Sequence, residues 1–293
     1  MAETNGPRIL YSLWVMTALC IAFIALRLYC KARYTARLGT DDAVLVIAFI
    51  FSLMDAVFAT ESVKYGMGKH IVDVRDEDKI PMFRNLFIGE FFSMVAIPVS
   101  KSSFAITLLR LVTRRWQKIF IWFVIITMNV ELWICGILLF VQCTPVEKNW
   151  NKTMPGSCWK SKVQDDYSVF AGAYSAFLDF VLATFPCLII WNLQMNKREK
   201  LGVITAMSLG FFAGATAAIK TSVLPGVKHW EDINFSLAEL LIWSHAETSV
   251  TIMASCIPFF RLLIKHALQA RDDQEQWKAE DHGKFAVGQA VRQ

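Results

Sequence analysis

Long apolar runs alternate with short polar connections along the chain. A helix needs about 20 mainly apolar residues to cross a bilayer. Seven runs of about this length lie at residues 9–28, 43–63, 86–109, 119–141, 167–191, 203–222 and 235–263. They fill most of the 293 residues and leave no room for a soluble domain. The pattern predicts an all-α membrane protein, with a seven-transmembrane helix bundle over residues 1–264 and a charged cytosolic tail over residues 265–293.

The composition agrees with this fold class. A hydrophobic fraction of 55% and a mean hydropathy of +0.41 exceed what a soluble domain of this size carries. The net charge of +5 would indicate an anionic partner in a soluble protein, but membrane orientation explains it more simply here. We therefore expect no nucleic-acid partner. No small-residue cleavage site follows the first run, so we expect a retained span rather than a signal peptide.

Basic residues concentrate in every second connection. They are Arg27, Lys31, Arg33 and Arg37 after the first run, Arg110, Arg114, Arg115 and Lys118 after the third, and Lys197, Arg198 and Lys200 after the fifth. Cytoplasmic loops carry an excess of lysine and arginine. We therefore expect the amino terminus outside and the carboxyl terminus in the cytosol, in the plasma membrane or an endomembrane. The basic loops are candidates for contact with a cytosolic partner.

Local signals fit the predicted helices. Asp41 and Asp42 open the second run, where capping of the positive helix end is favoured over a ligand role. Gly66 and Gly68 follow that run and predict a tight turn. Small residues four apart allow close helix contact, and the sixth run has Gly202, Gly210 and Gly214.

Acidic side chains interrupt the apolar runs near mid-depth. Glu131 lies in the fourth run, Asp179 in the fifth and Glu247 in the seventh. A charge at this depth costs several kcal/mol, so these side chains should face protein or water. They cannot all stay ionised in a low dielectric, and some should hold a proton. They are the candidate catalytic acids, with a hydrogen-bonded set that fixes helix packing as an equal alternative.

Four further residues are candidates for ligand binding. Glu90 and Lys101 lie eleven residues apart in the third run, with Lys101 expected deeper on the inner side. This spacing is three helical turns, so the two side chains should line one face. Trp243 and His245 lie in the seventh run beside Glu247.

Several functional classes lack sequence support. The chain has no paired metal ligands, nucleotide loop or nucleophile motif, so we expect no metal and no cofactor. No lysine lies between Phe235 and Arg261, so the last run cannot hold retinal as a Schiff base. A light-driven pump is excluded on this ground. The absence of internal repeats makes a transporter a weaker hypothesis.

The connection after the fourth run falls on the outer side in this topology. It contains Cys143 and Cys158, and a disulfide between them is expected on an oxidising face. The same loop carries Asn151-Lys152-Thr153, a glycosylation sequon. Asn151 is therefore a candidate glycosylation site.

The motifs together resemble the fungal rhodopsin-like integral membrane proteins, also called the SAT-four family after a satratoxin-cluster member. The resemblance covers the full length and rests on Asp41-Asp42, Tyr65-Gly66-Met67-Gly68-Lys69-His70, Lys101-Ser102, Leu109-Arg110-Leu111, Cys143-Thr144-Pro145 to Trp150, Gly156 to Cys158, Asp179, Pro186, Trp243, Glu247, Cys256, Pro258 and Arg261. It implies a seven-helix fungal membrane protein, commonly with a role in specialised-metabolite production. The cysteine-rich amino-terminal domain of the receptor-like branch is missing here, which makes a receptor function the weaker interpretation.

The leading hypothesis is a membrane protein of a mycotoxin-type biosynthetic pathway. It would bind a lipophilic small molecule in a mid-membrane polar pocket, with acid–base isomerisation or cyclisation as the candidate chemistry. The alternative is a receptor-like seven-helix sensor without retinal. Neighbouring biosynthetic genes would favour the first hypothesis, and an isolated locus would favour the second.

Overall fold

Long helices make up nearly all of the described structure. The computed structural model describes residues 4–34, 39–110, 112, 114–190, 197–223, 234 and 236–257. Within these ranges the seven long helices are α1 (Gly6–Tyr34), α2 (Thr40–Lys64), α3 (Asp76–Leu109), α4 (Arg115–Val141), α5 (Ser161–Ile190), α6 (Lys197–Val223) and α7 (Ser236–Ile257). The tail predicted from residue 265 onward lies outside the described residues.

Six helices in the described ranges are long and apolar enough to cross a membrane. The segments are Gly6–Arg33, Thr40–Lys64, Asp76–Leu109, Arg115–Val141, Asp166–Phe185 and Ser236–Ile257. They coincide with six of the predicted runs, and the chain is a multi-pass membrane protein. The remaining run, 203–222, falls within α6, and its first side chains lie outside the described part. Seven spans and the orientation of the termini therefore stay predictions.

One side of α4 has the surface of a lipid-facing helix. Large apolar side chains along it are between 48% and 69% exposed: Ile119, Trp122, Phe123, Ile126, Val130, Trp133 and Ile137. The opposite side contributes Ile121, Val124 and Met128 to a buried core. A continuous apolar stripe of this length would be a large exposed patch in water. In a bilayer the acyl chains cover it.

The third helix extends well beyond its apolar run. Residues 86–109 formed the predicted span, but α3 begins at Asp76. Three acids, Asp76, Glu77 and Asp78, occupy its first turn, where negative charge is favourable at the positive end of the helix dipole. Hydrophobicity marks only the part of a helix inside the bilayer, so the polar first turns were not expected.

α3 and α7 are the central helices of the bundle. In each, 72% of the most apolar part is buried inside the bundle, against 28% in α1. α7 contributes Leu241 to one apolar core, Ile252 to a second and Ala254 to a third. Polar side chains on α3 and α7 therefore face other helices rather than lipid.

Close packing joins α5 to α6 at two glycines. A Cβ atom added at Gly210 would lie 2.8 Å from the Cβ of Ala183, and one added at Gly214 would lie 3.0 Å from the ring of Phe180. The predicted close contact is thus confirmed at these two positions. Gly202 lies where side chains are outside the described part.

The connections also follow the sequence signals. Gly66 and Gly68 have φ angles of 109° and 89°, which confirms the tight turn after α2. Two short strands, β1 (Cys143–Thr144) and β2 (Ser157–Cys158), pair antiparallel after α4. The Cys143–Cys158 disulfide joins them, as predicted.

Candidate functional site

A buried lysine on α3 holds two carboxylates from other helices. Lys101 Nζ lies 2.8 Å from Asp179 Oδ2 on α5 and 2.7 Å from Glu247 Oε1 on α7. The Lys101 and Glu247 residues are 0% exposed. A charge shielded from water needs such partners because nothing else repays its lost hydration.

Two more residues complete this arrangement. The Ser175 hydroxyl lies one turn before Asp179 on α5, 2.5 Å from Lys101 Nζ, and donates to Glu247 Oε1 at 3.0 Å. Lys220 of α6 binds the other Glu247 oxygen, Oε2, at 2.6 Å. We call these five residues the Lys101 network. It joins α3, α5, α6 and α7.

The network is electrically balanced. It contains two ammonium groups, Lys101 and Lys220, and two carboxylates, Asp179 and Glu247. Removing one member of a buried pair typically costs about 3–5 kcal/mol because the other charge remains uncompensated. The same geometry therefore serves helix packing and keeps charged groups at membrane depth.

A cavity of about 90 Å³ lies directly beside the network. Its polar lining consists of Glu90, Ser168, Ser175, Lys220 and Ser244, and its apolar lining includes Met94, Ile97, Leu132, Cys135, Ala171 and Leu240. Glu90 lines the cavity with Met94 and Ile97 of α3, whereas Lys101, predicted on the same face, does not. Two network members, Ser175 and Lys220, also border it.

Lys101 and Asp179 also border a second and smaller space. This space, of about 10 Å³, is bordered by Lys101, Asp179 and Thr251. A volume of about 10–15 Å³ holds a single water molecule. Although Lys101 was expected deeper on the inner side than the acids, its ammonium group lies within 2.8 Å of Asp179 and Glu247. Counting along a run ignores the reach of the lysine side chain.

Glu131 stands apart from the other two predicted catalytic acids. Both of its carboxylate oxygens are shielded from solvent and have no hydrogen-bond partner among the described residues. Its neighbours Leu132 and Cys135 line the cavity. Thus the structure brings Asp179 and Glu247 together on Lys101, and leaves Glu131 near the cavity without a direct bond to them.

His245 belongs to a separate polar group. Its Nδ1 lies 3.1 Å from Asp55 Oδ2 on α2, and its Nε2 lies 3.1 Å from the Thr17 hydroxyl on α1. All three residues are buried. His245 and Glu247 are close in sequence, but their side chains contact different helices.

Comparison with known proteins places the chain in a family. The model of the fungal rhodopsin domain matches residues 26–266. The chain belongs to this family. The matched range includes the whole Lys101 network, and the resemblance drawn from the sequence motifs is confirmed.

Three relatives of this fungal rhodopsin domain protein come from different fungi. Fugralins biosynthesis cluster protein 2 of Gibberella zeae is 27% identical, over 86% of this chain and 63% of the relative. Polyenoic acids biosynthesis gene cluster protein Ba17b of Metarhizium anisopliae is 22% identical, over 90% and 75%. A SAT4 family membrane protein of Emericella nidulans is 23% identical, over 72% and 53%. The alignments thus span between about half and three quarters of these relatives.

A second ion cluster of this fungal rhodopsin domain protein joins α1, α2 and the end of α3. Lys31 Nζ lies 2.8 Å from Asp41 Oδ2 and 2.5 Å from Asp42 Oδ2. Arg27 contacts both carboxylates, and Arg110 lies 2.5 Å from Asp41 Oδ1. The charge pattern assigned Arg27 and Lys31 to a cytoplasmic loop, and their burial was not expected. The sequence did indicate this pairing, since Arg27 and Lys31 lie one helical turn apart and a short loop leads from them to the two acids.

The capping role expected of the two acids is only part of their function. Asp42 Oδ2 accepts a hydrogen bond of 2.9 Å from the Gly39 N–H, as a helix cap does. Arg27 also donates to the carbonyl oxygen of Ser255 on α7. The cluster therefore ties the central helix to α1 and α2.

The remaining predicted site residues lie elsewhere. Trp243 is half-buried on α7, one turn before Glu247, and is not among the residues that line the cavity. Asn151 is half-buried in the disulfide loop, where its Oδ1 accepts a hydrogen bond of 2.6 Å from the Thr153 hydroxyl. Lys220 and Ser175 were not predicted as site residues because neither carries a motif of its own.

Proposed function

We propose that this chain serves a fungal specialised-metabolite pathway by binding a lipophilic intermediate among its helices. Acid–base isomerisation or cyclisation is the proposed chemistry. Two relatives support the pathway role, since they are named for the biosynthesis of fugralins and of polyenoic acids. The membrane-spanning helices support an apolar ligand, which can enter from the bilayer.

The proposal depends above all on the position of the cavity beside the Lys101 network. Apolar walls meet proton-carrying groups there, because Glu90 and Lys220 both line the cavity. General acid–base catalysis needs a donor or acceptor within hydrogen-bond reach of the substrate. Lys220 meets this requirement for a ligand in the cavity, while Glu247 holds it in place at 2.6 Å.

The predicted acids take different roles in this proposal. Asp179 and Glu247 maintain the charge balance around Lys101 and exchange protons with it. Glu131 has no hydrogen-bond partner among the described residues and lies one turn before Cys135, which lines the cavity. Glu90 supplies the carboxyl group on the cavity wall itself.

The size of the cavity limits what can bind without rearrangement. Pockets for drug-sized ligands usually measure about 300–1,000 Å³, and this cavity measures about 90 Å³. It holds a head group or a short chain. The apolar body of a larger intermediate would extend between helices toward the lipid.

Deletion of the gene followed by metabolite profiling tests the proposal. The deleted strain should accumulate a lipophilic intermediate, and the wild-type gene should restore its conversion. Glu247→Gln should fail to restore conversion at equal protein abundance, whereas Glu61→Gln should restore it because Glu61 is 41% exposed and far from the network. An unchanged metabolite profile after deletion would remove the proposal.

A receptor-like sensor is the second candidate. The ion cluster around Asp41 favours it, because Arg110 is 45% exposed and binds a carboxylate that is tied through Arg27 to α7. A cytosolic partner that binds Arg110 at these basic loops would break the ion pair between Arg110 and Asp41. Arg110→Ala should then alter a transcriptional response without changing metabolite conversion. Loss of conversion with no change in transcription would favour the pathway role.

A further inference from the structure

The charges around the cavity do not cancel. Within the Lys101 network, two ammonium groups balance two carboxylates through bonds of 2.6–2.8 Å. No ammonium group of the network is left over for another acid. A further carboxylate beside the cavity therefore has no ammonium group bound to it directly, and Lys220 acts on Glu90 and Glu131 only through space.

One further carboxyl group, that of Glu90, lines the cavity, and a second, that of Glu131, belongs to a residue next to a lining residue in the sequence. Glu90 makes no hydrogen bond or salt bridge with the described residues, although the Lys220 ammonium group acts on it through space. Glu131 lies next to the cavity-lining Leu132, and both its oxygens are buried without a hydrogen-bond partner in the described part of the chain. Buried polar groups in a bilayer need partners because no water is available there. A ligand that donates hydrogen bonds and carries positive charge would satisfy both groups in their ionised form.

We propose that the cavity binds the ammonium group of an amine, with Glu131 and Glu90 as its acceptors. This rests on the proposed function and assigns the ligand to the class of amines with an apolar body. The hydroxyls of Ser168 and Ser244 also line the cavity and can accept the remaining N–H groups. A primary amine has three N–H donors when charged, which suits several acceptors around one small space.

A carboxylic acid fits the same space less well. Its carboxylate would meet Glu90 on the cavity wall and would have to displace Glu247 from Lys220. An amine would not have to displace Glu247, and the positive charge of Lys220, which also lines the cavity, is offset by that counter-ion 2.6 Å away. The volume also suits a short amine, since about 90 Å³ is several times the roughly 10–15 Å³ that one water needs.

Binding of short probes to the full-length protein tests this. The protein is placed in phosphatidylcholine nanodiscs, which contain no N–H donor in the lipid head group. The thermal midpoint is then measured at pH 7 against increasing butylamine, butanoate or butanol. Butylamine should raise the midpoint in a saturable way, because a ligand that binds only the folded state stabilises it. Butanoate and butanol should not.

Matched variants locate the site. Glu131→Gln and Glu90→Gln should each weaken butylamine binding by about tenfold or more, since each loses a charge-assisted hydrogen bond. Glu77→Gln should leave binding unchanged, because Glu77 is 76% exposed at the start of α3. Equilibrium binding of radiolabelled butylamine at low temperature gives the same comparison if a variant has a low midpoint.

The outcomes separate the alternatives. Equal stabilisation by butanol or butanoate, or unchanged butylamine binding in both glutamate variants, overturns the amine site. Such a result leaves the proposed function standing if Glu247→Gln still blocks metabolite conversion. Repeating the titration with phosphatidylethanolamine in the discs identifies the natural source: competition indicates a lipid head group, and no competition indicates a free amine. Both of these results support the site.

Discussion

Lys101 and Glu247 form an ion pair of 2.7 Å between residues that lie 146 positions apart in the sequence. The pair joins the two most buried spans, α3 and α7. Because Asp179 also binds Lys101, a single ammonium group organises three helices. The stability of the bundle and the electrostatics of the cavity therefore depend on the same side chain.

Replacing Lys101 should destabilise the protein strongly. Lys101→Met leaves two buried carboxylates with only Lys220 to compensate them, and we expect a loss of about 3–5 kcal/mol. Thermal unfolding of the purified protein in nanodiscs measures this. Lys64→Met is the matched control, since Lys64 is 64% exposed and its pair with Glu61 contributes little. A Lys101→Met protein as stable as the control would contradict the structural role of the network.

Glu131 should lower the free energy of unfolding in the absence of ligand. Glu131→Met removes two buried oxygens without partners among the described residues and keeps a similar side-chain volume. We expect a gain of about 1 kcal/mol or more, because burying an unpaired polar group costs at least that much. Thermal unfolding without added amine is the measurement. A loss of stability instead would show that Glu131 has a stabilising partner in the folded protein.

Two glycines should respond oppositely to alanine. Gly210→Ala places a Cβ atom 2.8 Å from the Cβ of Ala183, so α5 and α6 must separate, at a cost of about 1–3 kcal/mol. Gly136→Ala on α4 meets nothing within 4 Å and gains helix propensity. The comparison uses the same substitution, so backbone entropy is matched. Equal midpoints for both variants would refute the close α5–α6 packing.

Asn151 tests both glycosylation and orientation. If its loop faces the lumen of the secretory pathway, wild-type protein from a fungal host should shift to higher mobility after endoglycosidase treatment. Asn151→Gln should run at that faster position without treatment, and Thr153→Ala should match it because the sequon is lost. Lys152→Gln keeps the sequon and should still shift. The absence of any shift in the wild type would remove the glycosylation prediction.

Local pattern predicted much of the fold. Apolar runs predicted six of the described spans because a bilayer demands about 20 apolar residues of any helix that crosses it. The turn at Gly66 and Gly68, the disulfide of Cys143 and Cys158, and the close packing at Gly210 followed from local chemistry in the same way. The start of α3 at Asp76 did not follow, because a helix can continue into water beyond its apolar part.

The site was only partly predictable. Glu90, Lys101, Asp179 and Glu247 stood out because charges at membrane depth are expensive and need partners. Their partners could not be read from the chain, since Lys101 meets Asp179 across 78 residues. Lys220 was not predicted as a site residue because it lies near the end of its run. His245 was grouped with Glu247, but its side chain contacts Asp55 instead.

The sequence by itself determined that this chain crosses a membrane several times, which helices it uses, and that acids and a lysine must lie in the interior. Only the tertiary structure decided which of these charges meet. Hydrophobic periodicity acts over a few residues and reports the environment of a side chain, whereas ion pairing depends on how separate helices are placed against one another. For this reason Asp179 and Glu247 share Lys101, and Glu131 remains beside the cavity with no partner among the described residues.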